Sequence, residues 1–380
     1  MNFGREWKDL KKFEKLSDFE RSIVFYAENK ASMNHFKTLI DELTQKMNLK
    51  ICYVTSVSDD PIFKSENKNI FSFYVGSGII RTKFFLTLNA KILLMDMPDL
   101  NNFHIKKSKT YSVHYIYIFH SMFSVHSYLR KNAIDHYDTI FCVGPHHINE
   151  ILESEKIYNL KQKNLVKYGF GRLDSLLQQK QNYSEIDNDL IIISPSYGDN
   201  NLLEICGIEL IEILLKSNFK VLLRPHMKIL KDSEKLIQKI KNLFEDNPNF
   251  FLETGIIPFE KLNNSFCMIS DWSGISLEYA FVFKRPVIFI DVPKKILNPY
   301  YDDISFKPIE TSIRKKIGHV VDPKNISQIP SIIENFSADK QELTDTINTV
   351  SSEIVYNIGN SAEIGAKHIQ NILNNLNSNT

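Results

Sequence analysis

Two histidines stand directly after strand-like segments, at positions where their rings can handle protons. His120 follows the apolar run YIYIF, and His226 follows KVLLRP, which also carries Arg224. A neutral imidazole accepts a proton from an attacking hydroxyl, and an imidazolium donates to a leaving diphosphate. An arginine holds two phosphate oxygens at once. The pattern predicts a base at His120 and an anion-binding pair at Arg224 and His226. The alternatives are an ordinary core histidine, and a surface arginine beside a helix-capping histidine.

The segment FCMISDWSGISLEYAF has the pattern of a strand, a short polar turn and a helix. Ser270, Ser273 and Gly274 offer hydroxyl groups and accessible backbone N–H groups where the helix starts. Such a start has unpaired donors and a positive dipole end, which suit a phosphate. Glu278, one turn further on, can direct a carboxylate at ribose hydroxyls. The alternative is that Ser270 and Asp271 only cap the helix.

A weaker signal lies in YGFGRLDSLL, near the predicted change of domain. Arg172 can touch a phosphate there, or it can pair with Asp174. We expect a structural role for Asp174.

Short β-rich runs alternate with helical periodicity along the chain, which predicts βα units around parallel sheets. The first series of strands runs from SIVFYA at 22–27 through KICYVTS, IFSFYVG, KILLMD, YIYIF, TIFCVG and LVKY. The helix after the first strand carries Phe36, Leu39, Ile40, Leu43 and Met47 at helical spacing. These elements predict one α/β domain over residues 1–180.

A second strand series follows the polar stretch QQKQNYSEIDND, which is the best candidate for a linker. Its strands are LIIIS, FKVLLR, NFFLE, FCMIS and VIFID, and they predict a second domain over residues 185–355. A C-terminal helix at about 357–376 is expected to pack back on the first domain. The predicted fold is α/β and GT-B-like, with two Rossmann-like domains whose parallel sheets face each other across a cleft. Ligands of such sheets bind beyond the carboxyl ends of the strands, where the residues named above lie.

Composition excludes several classes of function for this chain of 380 residues. The formal net charge of +1 argues against nucleic acid as a partner. Four widely spaced cysteines read as core residues of a reducing compartment. No signal-peptide start and no apolar run of membrane-spanning length is seen, so we expect a cytoplasmic protein. No metal-ligand spacing is found; the sequence indicates no certain cofactor, and Mg²⁺ bound through substrate phosphates would leave little trace.

Taken in order, the motifs FHS, GFGRLD, SPSYG, LRPH, SDWSGISLEYAF and KRPVIFID resemble the CDP-glycerol glycerophosphotransferase family of teichoic acid and capsule polymer transferases. The resemblance covers roughly residues 110–300, and LRPH and SDWSG are its most specific parts. It implies a GT-B fold and catalytic roles for His120 and His226. It further implies donor binding by Ser270, Asp271, Trp272 and Ser273, and it matches Ser194 and Ser196 of SPSYG to a strand end of the family. This chain has HSM where the family usually has a His-Gly-Thr-like motif.

The implied activity is transfer of a polyol phosphate from a CDP-activated donor to a hydroxyl of a cell-surface polymer. The acceptor is then a polysaccharide or a lipid-linked chain, and peripheral contact with the inner face of the cell membrane is expected. The basic segments HIKKSKTY and LRKN are candidates for that contact. Two alternatives stay open: a GT-B glycosyltransferase that uses a nucleotide sugar, and a non-catalytic subunit that binds sugar nucleotides or glycans.

Overall fold

The computed structural model describes residues 4–180, 187–255, 257–336 and 340–378. Thirteen strands lie in these ranges: β1 (Ile23–Ala27), β2 (Ile51–Thr55), β3 (Ile70–Tyr74), β4 (Ile92–Met95), β5 (His114–Ile118), β6 (Thr139–Cys142), β7 (Asn164–Lys167), β8 (Asp187–Ser194), β9 (Lys220–Leu223), β10 (Phe250–Leu252), β11 (Ser265–Ser270), β12 (Val287–Ile290) and β13 (Gly318–Val321). All strands predicted from the sequence are present. The short strand β13 was not predicted.

The α-helices of the described ranges alternate with these strands. They are α1 (Arg5–Glu14), α2 (Met33–Asp41), α3 (Ile79–Leu86), α4 (Val125–Tyr128), α5 (Pro145–Ile157), α6 (Gly171–Lys180), α7 (Ile208–Lys216), α8 (Ile229–Asp232), α9 (Glu234–Phe244), α10 (Phe259–Asn264), α11 (Ile275–Phe283), α12 (Ile309–Ser312), α13 (Arg314–Ile317), α14 (Ile329–Asn335), α15 (Lys340–Ile354) and α16 (Ser361–Ser378). A π-helical turn, Glu42–Lys46, continues α2.

The chain forms two compact units, and each contains one parallel sheet. The first unit comprises residues 1–175, 297–306 and 354–380, and the second comprises residues 176–296 and 307–353. The first sheet has the strand order β3-β2-β1-β4-β5-β6-β7, and the second has the order β10-β9-β8-β11-β12-β13. In both sheets the order reverses beside the first strand of the series, which is the arrangement of a Rossmann-like fold.

Buried apolar strands explain both sheets. β1 and β2 are buried along their whole length, and so are β4 and β6. Nearly continuous apolar strands are stable only where helices cover both faces of the sheet. The apolar side of α2 supplies Phe36, Leu39 and Ile40 to the first core, as the helical spacing predicted.

The C-terminal helix α16 belongs to the first unit. Ala366, Ile369 and Ile372 are buried in its core. The segment that leads to α16 passes close to Gly169. Gly169 has a φ of +106°, and a Cβ there would lie 2.3 Å from the carbonyl oxygen of Tyr356. A side chain at residue 169 would therefore strain the backbone and clash with the returning segment.

Residues 297–306 differ from the predicted division, which placed them in the second domain. In the structure they belong to the first unit. The Leu297 N–H donates to the carbonyl of Ser127 at 3.0 Å, and the Asn298 amide donates to the carbonyl of His126 at 2.9 Å. Hydrogen bonds to backbone carbonyls of this kind leave no periodic pattern in the sequence.

Half of the predicted linker lies outside the described residues. Gln178 to Lys180 form the end of α6, and Asp187 to Asp189 form the start of β8. Residues 181–186 lie outside the described ranges.

Candidate active site

His120 lies just beyond the end of β5, at the carboxyl edge of the first sheet. Its Nδ1 is 3.1 Å from the carbonyl oxygen of Asp96, and its Nε2 is 2.9 Å from the hydroxyl of Tyr128. A carbonyl only accepts hydrogen bonds, so Nδ1 carries the hydrogen. Burial lowers the pKa of His120 below its ordinary value. The ring is therefore neutral, and Nε2 presents a lone pair.

Two groups around His120 were not predicted from the sequence. His35 is 8% exposed, and its ring centroid lies 6.2 Å from that of His120. Burial lowers the pKa of His35 well below its ordinary value, and the charges of His120 and Arg172 act in the same direction. Arg172 thus lies in the first unit, close to His35. An extra positive charge is disfavoured at this position.

Asp96 directly follows β4 and is also buried at this edge. Its Oδ1 accepts a hydrogen bond from the Ser32 hydroxyl at 3.0 Å. Burial raises the pKa of Asp96 to about 7, and the Glu28 carboxylate adds to the rise. The position after a strand end, in KILLMD, was the signal in the sequence that could have identified it.

In the second unit, Asp271 fixes the turn between β11 and α11. It is 1% exposed. Its carboxylate accepts hydrogen bonds from the backbone N–H groups of Ser196 at 2.6 Å, Leu202 at 3.0 Å and Trp272 at 2.7 Å. The carboxylate therefore holds the loop after β8 against the turn after β11. Asp271 thus connects two loops, which differs from the simple helix cap that was considered from the sequence as the alternative to donor binding.

Ser270 and Ser194 are joined inside the same region. The Ser270 hydroxyl donates to the carbonyl of Ser194 at 2.6 Å, and both residues are fully buried. Ser196 is 5% exposed and is held through its N–H. The structure brings these predicted residues together, but it places their side chains in the interior of the unit.

Trp272 is also held within the unit. Its indole N–H donates to the carbonyl of Val292 at 3.1 Å, and the Arg314 guanidinium lies 4.1 Å from its ring centroid. Arg314 in turn donates to Asp291 at 3.0 Å. Trp272 thus anchors the turn on the loop after β12.

Ser273 and Gly274 precede the first turn of α11. Ser273 is 8% exposed, and its carbonyl accepts from the Ser276 hydroxyl at 2.7 Å. Gly274 is the N-cap and has no side chain to satisfy the first N–H groups. Glu278 follows one turn later and is 9% exposed. The helix start therefore keeps donors that an anion can use.

A group of cations surrounds one aromatic ring beyond β8 and β9. The ammonium of Lys295 lies 2.9 Å and that of Lys228 4.2 Å from the ring centroid of Tyr197. The His226 ring lies 4.7 Å from the same centroid. Burial and the charges of Arg224, Lys295 and Lys228 lower the pKa of His226 to about 4. This set, called the Tyr197 cluster below, consists of Tyr197, Arg224, His226, Lys228 and Lys295.

Burial and mutual repulsion disfavour further positive charge in the Tyr197 cluster. Burial lowers the pKa of Lys295 to about 8; Asp271 opposes the shift and Lys228 adds to it. Across the described ranges, no carboxylate forms an ion pair with Lys228 or Lys295. An anion bound here would restore the balance of charge, so the cluster is suited to a phosphate or diphosphate.

Hydrogen bonding fixes the tautomer of His226. Its Nδ1 accepts from the backbone N–H of Lys228 at 3.1 Å. The hydrogen of the neutral ring is therefore on Nε2, which is free to act as a donor. An imidazolium was expected at this position from the sequence, whereas burial and the charges of Arg224, Lys295 and Lys228 favour the neutral ring.

Sequence reasoning missed Lys228, Lys295 and Tyr197. Lys228 lies two residues after His226, and Lys295 follows β12 in VIFIDVPKK. Their positions after strand ends were the available signal. A lysine in a loop is so often a solvated surface residue that the signal carries little weight alone.

Other residues considered from the sequence have structural roles. Asp174 accepts hydrogen bonds from the N–H groups of Gly359 at 2.6 Å and Ser361 at 2.9 Å, which confirms the structural expectation. His147 is fully buried, and its Nε2 bonds the carbonyl of Phe123 at 2.9 Å. His146 bonds the carbonyl of Met122, and His126 contacts Glu150 at 3.1 Å. All four cysteines are buried and unpaired, as predicted.

Two absences concern the described part of the chain. No cluster of three or more His, Cys, Asp or Glu side chains there has the arrangement of a metal site. No helix within the same ranges has the length and apolar character needed to cross a membrane.

Comparison with known proteins gives one family and several similar folds. The family model for CDP-glycerol:poly(glycerophosphate) glycerophosphotransferase matches residues 12–295. No curated protein matches the chain.

Among solved structures, a variant of the wall teichoic acid polymerase TagF soaked with CDPG has a TM-score of 0.60 at 13% identity, covering 98% of this chain and 94% of that one. The UDP-GlcNAc 2-epimerase of Methanocaldococcus jannaschii, in complex with UDP-GlcNAc and UDP, has a TM-score of 0.59 at 13% identity, covering 92% and 99%. MnaA of S. aureus with UDP has a TM-score of 0.61 at 12% identity, covering 93% and 97%. These likenesses confirm the predicted α/β, GT-B-like class.

Proposed function

Because the chain belongs to the CDP-glycerol:poly(glycerophosphate) glycerophosphotransferase family, we propose that it transfers glycerol phosphate from CDP-glycerol to a hydroxyl of a growing cell-surface polymer. The observation that carries the proposal is the opposite tautomers of two neutral histidines. His120 presents a lone pair on Nε2, whereas His226 presents an N–H on Nε2. The first suits a base, and the second suits a donor to a phosphate oxygen.

In the proposed reaction, the acceptor oxygen forms a bond to the phosphorus of the glycerol phosphate group. The diphosphate P–O bond breaks, and its electron pair leaves with CMP. The acceptor proton ends on Nε2 of His120. Arg224 and His226 hold the diphosphate, together with the lysines of the Tyr197 cluster and the N–H groups at Ser273 and Gly274. Most of the rate in such a transfer comes from positioning and charge stabilisation.

The buried residues of the predicted site act by positioning in this proposal. Asp271 and Ser270 tie the loop after β8 to the turn after β11, and Trp272 ties that turn to the loop after β12. A carboxylate in direct contact with a diphosphate would repel it, which fits the internal position of Asp271. Glu278 remains the candidate for the ribose hydroxyls, and Arg172 remains a candidate for phosphate contact.

The acceptor is proposed to be a polysaccharide or lipid-linked chain at the inner face of the cell membrane. The two basic segments give this part little support, because most of their charges have internal partners. Lys107 contacts Asp138 at 3.4 Å, Arg130 donates to Asp99 at 2.8 Å, and Lys131 lies 3.6 Å from the Tyr158 centroid. A charge with an internal partner adds less to attraction by an anionic surface. Mg²⁺ is proposed to enter with the substrate phosphates.

A second candidate is transfer of a sugar from a nucleotide sugar. Its support is that two structures with UDP bound share the fold, with TM-scores of 0.59 and 0.61 against 0.60 for TagF. A non-catalytic binding subunit is the third alternative, and it predicts nucleotide binding without turnover.

A panel of donors tests the proposed function. The unfolding temperature of the full chain is measured with CDP-glycerol, CDP-ribitol, a CMP-sugar and UDP-GlcNAc. A ligand that binds only the native state raises this temperature by mass action. We expect CDP-glycerol to raise it most. A rise with UDP-GlcNAc alone would overturn CDP-glycerol as the donor, and CDP-glycerol binding without release of CMP would favour the third.

A further inference from the structure

The hydroxyl of Tyr128, the last residue of α4, is hydrogen-bonded to Nε2 of His120, the nitrogen that accepts the proton in the proposed reaction. The hydroxyl lies 2.9 Å from Nε2, and the two ring centroids are 5.5 Å apart at an interplanar angle of 60°. Because Nδ1 bonds the Asp96 carbonyl, Nε2 has only a lone pair to offer. The phenol is therefore the donor, and its hydrogen points at the nitrogen that must receive the acceptor proton.

This contact leaves an acceptor hydroxyl two routes to His120. It can displace the Tyr128 hydroxyl, or it can give its proton to the phenol oxygen. The phenol oxygen has lone pairs that accept a hydrogen bond while its own hydrogen bonds Nε2. Neither Tyr128 nor His120 is fully buried. The second route needs no rearrangement of the hydrogen bonds that hold the imidazole.

We propose that Tyr128 contacts the acceptor hydroxyl and relays its proton to His120, an inference that rests on the proposed function. As the acceptor oxygen bonds phosphorus, its proton moves to the Tyr128 oxygen and the phenol proton moves to Nε2. The diphosphate P–O bond breaks, and the electron pair leaves with CMP. Tyr128 ends neutral, and His120 ends as an imidazolium that releases its proton to water.

Tyr117 provides a matched comparison at the other ring nitrogen. Its hydroxyl lies 3.5 Å from Nδ1, which bonds the Asp96 carbonyl and takes no part in the proposed transfer. Tyr117→Phe and Tyr128→Phe therefore delete the same group on opposite sides of one imidazole. Only the second deletion interrupts the proposed path.

The kinetic test measures CMP release from CDP-glycerol with a short glycerol phosphate oligomer as acceptor. For Tyr128→Phe we expect kcat to fall by at least about tenfold, while the KM for CDP-glycerol is unchanged. In mixtures of light and heavy water, the wild-type rate should curve with deuterium content, as for two protons in flight, and the rate of Tyr128→Phe should vary linearly. Tyr117→Phe should keep the wild-type curve. A Tyr128→Phe variant with near-normal kcat, or with the curve intact, would overturn the relay.

A second readout does not depend on turnover. Heteronuclear NMR of the protein labelled at the histidine ring nitrogens reports the tautomer of His120, assigned by its loss in His120→Gln. We expect hydrogen on Nδ1, and a raised pKa of His120 in Tyr128→Phe, because a donor to the neutral form is lost. Hydrogen on Nε2 would overturn the relay. An active His120→Gln variant would instead remove the base from the proposed function, so the two failures are distinguishable.

Discussion

At the scale of single residues, backbone groups decide what each histidine can do. The Asp96 carbonyl fixes the hydrogen of His120 on Nδ1, and the Lys228 N–H fixes the hydrogen of His226 on Nε2. Burial lowers the pKa of both rings, and the charges of Arg224, Lys295 and Lys228 lower that of His226 further, so both rings stay neutral. The same residue type is thereby prepared for two different tasks.

Lys295 offers a test of the Tyr197 cluster that can be matched to its neighbour. Lys295→Ala removes a half-buried ammonium from the cluster, whereas Lys294→Ala removes an exposed one next to it. We expect Lys295→Ala to weaken binding of CDP-glycerol by about tenfold, because a charge-assisted contact is lost. Lys294→Ala should bind like the wild type. Calorimetric titration measures both, and equal affinities for the two variants would exclude Lys295 from the donor site.

Asp96 predicts a definite dependence of stability on pH. Its pKa is about 7 in the fold, above the value in an unfolded chain. The folded state therefore binds more protons than the unfolded state between about pH 4 and pH 7, and the carboxyl group's contribution to the free energy of unfolding falls as pH rises through that range. Asp96→Asn removes this loss.

We compare the unfolding temperatures of Asp96→Asn and the wild type. We expect the advantage of Asp96→Asn to grow from about pH 4 to pH 7 and to stay constant above pH 7. Thermal unfolding followed by circular dichroism at several pH values measures the difference. A gap that does not change with pH would show that the carboxyl group ionises normally.

At the scale of elements, the strands were predictable and the connections between loops were not. Strands such as IVFYA and FCMIS are short and apolar and contain β-branched and aromatic residues, so they can be predicted from their sequence. β13, with the sequence GHVV, has a glycine, a histidine and little burial, and its pattern is too weak to detect. The role of Asp271 in joining two loops could not be predicted, because the N–H groups of Ser196 and Leu202 come to it from a distant part of the sequence.

The attachment of α16 to the first unit depends on Asp174. Asp174→Ala leaves the N–H groups of Gly359 and Ser361 without their acceptor in a buried position. We expect a loss of roughly 2–4 kcal/mol in the stability of the first unit. Denaturant unfolding monitored for each unit separately measures it. Glu363→Ala, which removes an exposed charge from the same helix, is the control and should unfold like the wild type. An equally small effect of Asp174→Ala would mean that apolar packing alone holds α16.

At the scale of the whole molecule, the net charge is only +1, so attraction for anions must come from local groups of cations. The residues of the Tyr197 cluster come from segments that are separate in the sequence: Tyr197 follows β8, the cations Arg224 and Lys228 follow β9, and Lys295 follows β12. Parallel strands bring these segments to one edge of the sheet, which allowed Arg224 and His226 to be predicted. Lys228 and Lys295 could be identified only from the positions of their side chains in the structure. The return of residues 297–306 to the first unit likewise depends on backbone hydrogen bonds that no periodicity reports.

The most direct test of the account is CMP release from CDP-glycerol in the presence of a glycerol phosphate oligomer. We compare the wild type with His226→Ala and with Met227→Ala, which removes the exposed neighbouring side chain. The account predicts that the wild type and Met227→Ala release CMP and lengthen the oligomer, and that His226→Ala is slower by at least about a hundredfold with an unchanged unfolding temperature. No CMP release by the wild type, or near-normal turnover by His226→Ala, would contradict it.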